Sequence, residues 1–212
     1  MRPIVYSALV LLGFAPPLEA QNECLEHVRY PAVGRWAEYD AVYKNKDRYA
    51  VRYAIIGSET REGTDMKWIE LRMTAKDPRK NMIYQMLVPG TGPSELGKVE
   101  EIIFKPGNSE PVTMNGMMVK MIQGQIEKSS VFKELCKGVT LVGEERVTVP
   151  AGSFKALHFQ NAKEGSDSWI STDIPFALVK SSGKDYQVGL SSQGDGAESS
   201  ITEDVRGTGG SE

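Results

Sequence analysis

The sequence predicts a mainly β protein of the α+β class, an antiparallel sheet associated with one apolar helix. Three observations lead there. Apolar residues recur at every second position through most of the chain, the pattern of strands with one buried face. Short clusters of Gly, Pro, Asn and Asp punctuate these runs, as connections between consecutive antiparallel strands require. A single stretch, Met114 to Lys128, abandons period two for a helical spacing.

The N-terminal residues concern location. Arg2 precedes an apolar run from Ile4 to Ala15, and Leu18-Glu19-Ala20 ends in the small residue an export peptidase accepts. The run is shorter than the roughly 20 residues that span a bilayer, so residues 1–20 read as a signal peptide cut before Gln21. The expected destination is the periplasm or the medium. Cys24 follows Asn22-Glu23, too polar and bulky for lipid attachment at that thiol. Residues 21–206 are expected to form one domain without an integral membrane span, and the Gly-rich residues 207–212 a disordered tail.

Residues 21–34 read as a short helix or an irregular lead-in. Ala37, Tyr39, Ala41 and Tyr43, then Tyr49, Val51, Tyr53 and Ile55, alternate with polar residues on two strands joined through Asn45-Lys46-Asp47. Pairing Lys44 with Arg48 puts Tyr43 opposite Tyr49, Tyr39 opposite Tyr53 and, on the other face, Asp40 opposite Arg52. After a polar turn from Gly57 to Gly63, a third strand places Ile69, Leu71 and Met73 on the tyrosine face and Trp68, Glu70 and Arg72 behind it. An Asp40-Arg52-Glu70 ladder is then expected on a solvated outer face.

Asp77-Pro78, Pro89 to Pro93 and Pro106-Gly107-Asn108 separate further strands at Met82–Val88 and Val99–Lys105, completing a meander of five. In the helical stretch, Met114, Met117, Met118, Met121, Ile122 and Ile126 cover an arc of about 200°, wide enough to suggest a helix lying in a concave sheet. Strands resume at 139–149 and 153–160 around Val149-Pro150-Ala151-Gly152, a turn sequence expected to form a three-residue connection with Gly152 at positive φ. Three more runs follow at Ser168–Thr172, Ala177–Ser182 and Tyr186–Ser191, and a last one at Glu198–Thr202.

A net charge of −3 offers no basic surface, so nucleic acid is not an expected partner. Cys24 and Cys136, an even pair in an oxidising compartment, are expected to form a disulfide, with two free thiols as the alternative. His27 and His158 lie in no metal-ligand spacing, and no G-x-S-x-G elbow or H-E-x-x-H helix occurs. Gly92 to Lys98 spells G-x-x-x-x-G-K, but Val99 stands where a phosphate loop carries Ser or Thr. Glu100-Glu101 and Glu144-Glu145 are strand neighbours whose side chains diverge. No metal, cofactor or catalytic residue is therefore assigned.

What remains is apolar and aromatic. Tyr39, Tyr43, Tyr49, Val51, Tyr53, Ile69 and Leu71 from the sheet, with Met118, Met121 and Ile122 from the helix, either line a cavity for a lipid or acyl chain or simply make the core.

The order of these elements, together with Val147-to-Phe159 (VTVPAGSFKALHF), Trp169-Ile170-Ser171, Ile174-Pro175 and Leu178-Val179-Lys180, resembles the LolA/LolB-like bacterial lipoprotein-carrier superfamily and its exported members. The resemblance implies an antiparallel β half-barrel, here of about 10–11 strands, wrapped around an apolar helix. It also implies a hydrophobic ligand, a lipid or acylated protein partner, held without catalysis. The rival readings are an envelope protein-protein interaction or sensing module with a filled core, using strand edges or the Trp36 and Trp68 face, and a hydrolase whose site is assembled from distant residues.

Overall fold

The computed structural model describes residues 17–44, 47–90, 98–121 and 135–207. A helix α1 (Pro17–His27) leads into twelve strands among the described residues: β1 (Trp36–Tyr43), β2 (Arg48–Arg61), β3 (Thr64–Ala75), β4 (Met82–Pro89), β5 (Glu101–Pro106), β6 (Val112–Asn115), β7 (Thr140–Val149), β8 (Gly152–Asn161), β9 (Ser166–Ile170), β10 (Leu178–Gly183), β11 (Tyr186–Gly194) and β12 (Arg206–Gly207). They form one sheet in the order β12-β6-β5-β4-β3-β2-β1-β11-β10-β9-β8-β7. All its ladders are antiparallel except the short parallel contact of β12 with β6. The long-range step is β1 against β11, which joins the two meanders into one surface.

At one end the sheet bends back on itself. The Ala151 N–H donates to the Leu190 carbonyl of β11 at 3.1 Å, although β7 and β8 lie beyond β10 and β9 in strand order. Val149 reaches over Gly189, where a Cβ would stand 3.7 Å from its methyl group. The β7–β8 turn departs from expectation: Val149 pairs directly with Gly152, leaving only Pro150 and Ala151 in the loop, while Gly152 takes the anticipated positive φ, at 135°.

The predicted first hairpin has the right faces and the wrong register. Tyr39 pairs with Val51, Ala41 with Tyr49 and Glu38 with Arg52, two residues from the expected alignment. A slip of two leaves every side chain on its own face, so the apolar pattern does not resist it. Asp40 consequently faces Ala50, and the Asp40-Arg52-Glu70 ladder does not exist: Arg52 lies between Glu38 and Arg72, and Glu70 pairs with Ala54. The predicted Gly57–Gly63 turn is mostly strand. Only Glu62 and Gly63 turn the chain, at φ 48° and 77°, the two positive values a twist-compatible two-residue hairpin requires.

Three further expectations are corrected. Met114 belongs to β6 and pairs with Ile102, because Val112-Thr113 extends the sheet before Gly116, at φ 53°, redirects the chain. Residues 116–121 are helical, but this turn meets the core through Val119, while the predicted Met117, Met118 and Met121 are exposed. Ile122 to Lys128 fall outside the described residues. Glu198–Thr202 is no strand; residues 197–205 cross the outer face as an irregular strap, anchored by buried Ala197 and Ile201. The predicted signal peptide lies outside the described residues as far as residue 16, and α1 runs through the predicted cut before Gln21, with Ala20 buried. Of the predicted tail, Gly207 is in β12 and residues 208–212 lie outside the described set.

The strap rests on Glu70, which is 1 % exposed. One carboxylate oxygen accepts from the Ser200 N–H at 2.8 Å and from Gln85 Nε2 at 2.9 Å, the other from Ser200 Oγ at 2.6 Å. Gln85 Nε2 also donates to Ser199 Oγ at 2.7 Å, and Lys105 pairs with Glu203 further along. The outer face expected to be solvated is covered here by a polar network that satisfies its carboxylate.

Candidate functional site

The candidate site is a cavity of 580 Å³ on the tyrosine face, within the roughly 300–1,000 Å³ typical of small-molecule sites. Strand alternation sends Tyr39, Ala41 and Tyr43 of β1, and Val51 and Tyr53 of β2, to the same side. The two-residue register offset makes the tyrosine pairs diagonal neighbours, which rings of this size can bridge. Tyr39 meets Tyr53 edge-to-face at 6.1 Å and Tyr43 meets Tyr49 at 5.9 Å, geometries favoured by the ring quadrupole.

Phe176 supports Tyr53 from behind, its ring 5.7 Å away. Phe176 and Ala177 both hold φ of 60°, a conformation that costs energy for residues with a Cβ. The turn is held by hydrogen bonds from Ala177 N–H to Ile174 O and from Ser171 N–H to Ala177 O, and by burial of Ile174 and Phe176.

The second half of the chain supplies the opposite wall. Ser166 and Ser168 of β9, Leu178 and Ser181 of β10, and Tyr186 and Val188 of β11 line it. Ser181 Oγ donates to the Asp167 carbonyl at 3.1 Å and lies 3.2 Å from the Tyr186 hydroxyl. Leu135 to Val139 close a third side. A disulfide between Cys24 and Cys136, 112 residues apart in sequence, ties that segment to α1. Asn161 Nδ2 donates to the Lys137 carbonyl at 2.8 Å and fixes it to β8. Exposed Lys137, Lys163 and Glu164 also border the cavity, giving it a mixed polar rim.

Burial raises the ionisation of the Tyr39 and Tyr53 hydroxyls far above the ordinary tyrosine range, with a smaller contribution from the neighbouring tyrosine in each case. Both are neutral at any physiological pH. Tyr43, 41 % exposed, shifts the same way, first through desolvation and then through Tyr49 and Tyr186. Tyr39 Oη and Ser168 Oγ, both fully buried, have no hydrogen-bond partner among the described residues.

Of the residues singled out from sequence, the cavity gathers Tyr39, Tyr43, Val51 and Tyr53. Tyr49 lies beside it with Tyr43 and Met73 in a shallower depression, Ile69 is in the core and Leu71 is half buried. Met118 and Met121 are solvent-exposed and do not line the cavity, and Ile122 lies outside the described residues. The β9 and β11 contributors were not singled out, although Ser166, Ser168, Ile170 and Tyr186, Val188, Leu190 show the same period of two that marked the tyrosines.

Elsewhere, His158 stacks on Trp169 at 4.5 Å, with Nε2 2.8 Å from Asp167 and Nδ1 3.4 Å from Glu145. Trp169 Nε1 donates to Glu145, and the Lys180 ammonium lies 4.7 Å over the indole. Trp36 carries the Arg52 guanidinium at 4.7 Å and donates to the Asp195 carbonyl. Among the described residues no group of three or more His, Cys, Asp or Glu is arranged to hold a metal, and no helix is long and apolar enough to cross a membrane.

No family model matches the chain, and no curated protein matches it in sequence. Among solved structures it is similar to a candidate lipoprotein from Parabacteroides distasonis, at 10 % identity and a TM-score of 0.36 over 78 % of this chain and 97 % of that one. It is likewise similar to a candidate exported protein with a YmcC-like fold from Bacteroides fragilis, at 9 % identity and a TM-score of 0.39 over 79 % and 99 % of the respective chains.

Proposed function

We propose that this chain is an exported, non-catalytic binding protein that holds the apolar part of a lipid or acylated partner in the curved tyrosine face of a β half-barrel. The observation that carries the reading is the 580 Å³ cavity, walled by an aromatic ladder and aliphatic side chains and rimmed by polar ones. Such a site buries a hydrophobic body while leaving a polar end at the rim. The N-terminal apolar run and the Cys24–Cys136 disulfide support an oxidising, extracytoplasmic location. Native mass spectrometry of the protein purified without detergent, followed by organic extraction, tests the reading. A lipid or acylated species in near-stoichiometric amount is expected; a clean apo mass, with no uptake of added lipid, overturns it. Tyr53→Ala is expected to weaken binding of the extracted species by about ten-fold or more, as loss of a buried aromatic contact should, with Asp40→Ala without effect.

The interaction-module reading has one observation in its favour. Met117, Met118 and Met121 stand exposed together on one helical turn, a surface adaptable to a protein partner. Retained binding of a co-purifying protein after Tyr53→Ala, and its loss on replacing these methionines by Gln, would favour that reading.

A further inference from the structure

Resting on the cavity reading above, we infer that the bound molecule is an anionic amphiphile whose compact head, a carboxylate or a phosphate monoester, sits at the cavity mouth beside Lys137 and Lys163. Residues that line the cavity and are also exposed mark where it meets solvent, and next to β8 these are Lys137, Lys163 and Glu164. One buried side chain sets their backbones side by side. Asn161, 9 % exposed, donates through Nδ2 to the Lys137 carbonyl at 2.8 Å and accepts the Glu164 N–H on Oδ1 at 3.0 Å. Its amide therefore joins the Leu135–Val139 wall to the turn that carries Lys163. The Cys24–Cys136 disulfide holds the same wall one residue before Lys137. Two lysines from segments far apart in sequence thus share one lip of the cavity.

The charge at this lip is net positive. Asp167 also borders the cavity, but alternation along β9 sends its carboxylate to the side opposite Ser166 and Ser168. There its Oδ1 lies 2.8 Å from His158 Nε2 and accepts from Gln160 Nε2 at 3.1 Å. Glu164 is then the one carboxylate facing two ammonium groups among the described lining residues. Across the opening, beyond exposed Tyr43, Lys44 is already paired with Asp185 at 2.9 Å. Lys163 has no such partner among the described residues. Apolar walls beneath a cationic lip focus its field on a head group placed there. Because the lip is exposed, that head keeps much of its hydration and no unpaired charge is buried. The tyrosine walls take the chain, and the lysines select the sign of the head.

The test is displacement of a bound neutral naphthylamine fluorophore from the full disulfide-bonded protein by four probes of matched chain length: decanoate, decyl phosphate, decanol and decyltrimethylammonium. At low salt at least one anion is expected to bind about five-fold more tightly than decanol, the sum of a few exposed charge contacts. The tighter of the two anions tells a fatty acid from a phosphate-headed lipid. That advantage should shrink as salt is added. Replacing both cations, Lys137→Gln with Lys163→Gln, should bring the anion-to-alcohol ratio toward one, and Glu164→Gln should raise it by about two-fold. All three positions are exposed, so these changes leave the buried packing intact. Equal affinity for the alcohol and both anions, or a ratio unchanged in the double variant, overturns the inference and leaves the cavity reading standing. Preference for the quaternary ammonium overturns it as well. Binding of none of the four, nor of the fluorophore, overturns the cavity reading and the inference with it.

Discussion

Two buried surfaces lie on opposite sides of the same strands. On the tyrosine face, apolar walls enclose a cavity, and two of its lining residues, Tyr39 and Ser168, keep buried hydroxyls without partners among the described residues. On the outer face, a charged carboxylate is fully sequestered under the strap and accepts three hydrogen bonds, while Gln85 reaches on to Ser199. The outer face therefore shows polar burial used for structure, with its hydrogen bonds made internally. The tyrosine face buries two hydroxyls whose hydrogen bonds are not made among the described residues.

The largest effect should come from the one covalent tie on the cavity side. Replacing Cys24 and Cys136 together by Ser releases the Leu135–Val139 wall from α1 and restores the conformational freedom of a long loop in the unfolded chain. For a separation of 112 residues the chain-entropy account puts the loss at about 5 kcal/mol. Urea unfolding should show a lower midpoint, and ligand uptake should fall because a cavity wall is untethered. A parental midpoint would mean that the Asn161 contact to Lys137 suffices to hold that wall.

Glu70→Ala attacks the other surface. It leaves the Ser200 N–H, Ser200 Oγ and Gln85 Nε2 without their shared acceptor, at a cost of about 3 kcal/mol, since hydrogen bonds to a buried charge are the strong ones. Amide exchange should quicken across residues 197–203 while ligand affinity is unchanged. If affinity fell as far as stability, the two faces would be coupled through β2 and β3, and the contrast between them would fail.

How far these surfaces could be read in the sequence follows from what alternation encodes. Period two assigns faces, so Tyr39, Val51 and Tyr53 were recognisable as companions, and the turn residues between the runs fixed most of the strand order. Alternation cannot fix a register that slips by two, which is why Arg52 was matched to Asp40 rather than to Glu38. Nor does it report whether a face is covered. Glu70 reads as a solvent residue between Ile69 and Leu71, and only the distant Ser199-Ser200 pair makes it a buried one. Ala197 and Ile201 carried that signal, but the spacing of four resembled neither strand nor helix in so short a stretch. Ser168 was illegible for a different reason: a serine on a strand is ordinary, and only the fold shows its hydroxyl buried without a partner among the described residues. In the Met114–Lys128 stretch, apolar helical spacing outweighed the β-branched Val112-Thr113 that extends the sheet as β6.

A smaller and pH-specific effect separates the faces again. The folded-state ionisation of Tyr39 and Tyr53 is raised, so the protonated hydroxyls favour the native state fully below the ordinary tyrosine value of about 10, and that contribution is lost as pH rises through and above it. Thermal unfolding midpoints should therefore fall between neutral pH and pH near 11. The fall should be shallower in the Tyr39→Phe Tyr53→Phe variant, which cannot ionise there. An equal fall in both proteins would show that another group governs alkaline unfolding.

The smallest expected effect is the one that calibrates the others. Asp40 sits on β1 between two cavity-lining residues, Tyr39 and Ala41, but points to the opposite side and is exposed. Had it faced Arg52 across the strands, its removal would have cost part of a cross-strand charge pair. It faces Ala50 instead, with Gly189 on the other neighbour, so Asp40→Ala should change stability by no more than about 0.5 kcal/mol, the ordinary range for a surface position. A double-mutant cycle with Arg52→Ala should return no coupling, whereas Glu38→Ala with Arg72→Ala should return a small one through their ion pair of 3.6 Å, reduced by solvent screening. Measurable coupling between positions 40 and 52 would restore the register shifted by two. It would also bring Tyr39 directly opposite Tyr53 and alter the aromatic wall on which the cavity depends.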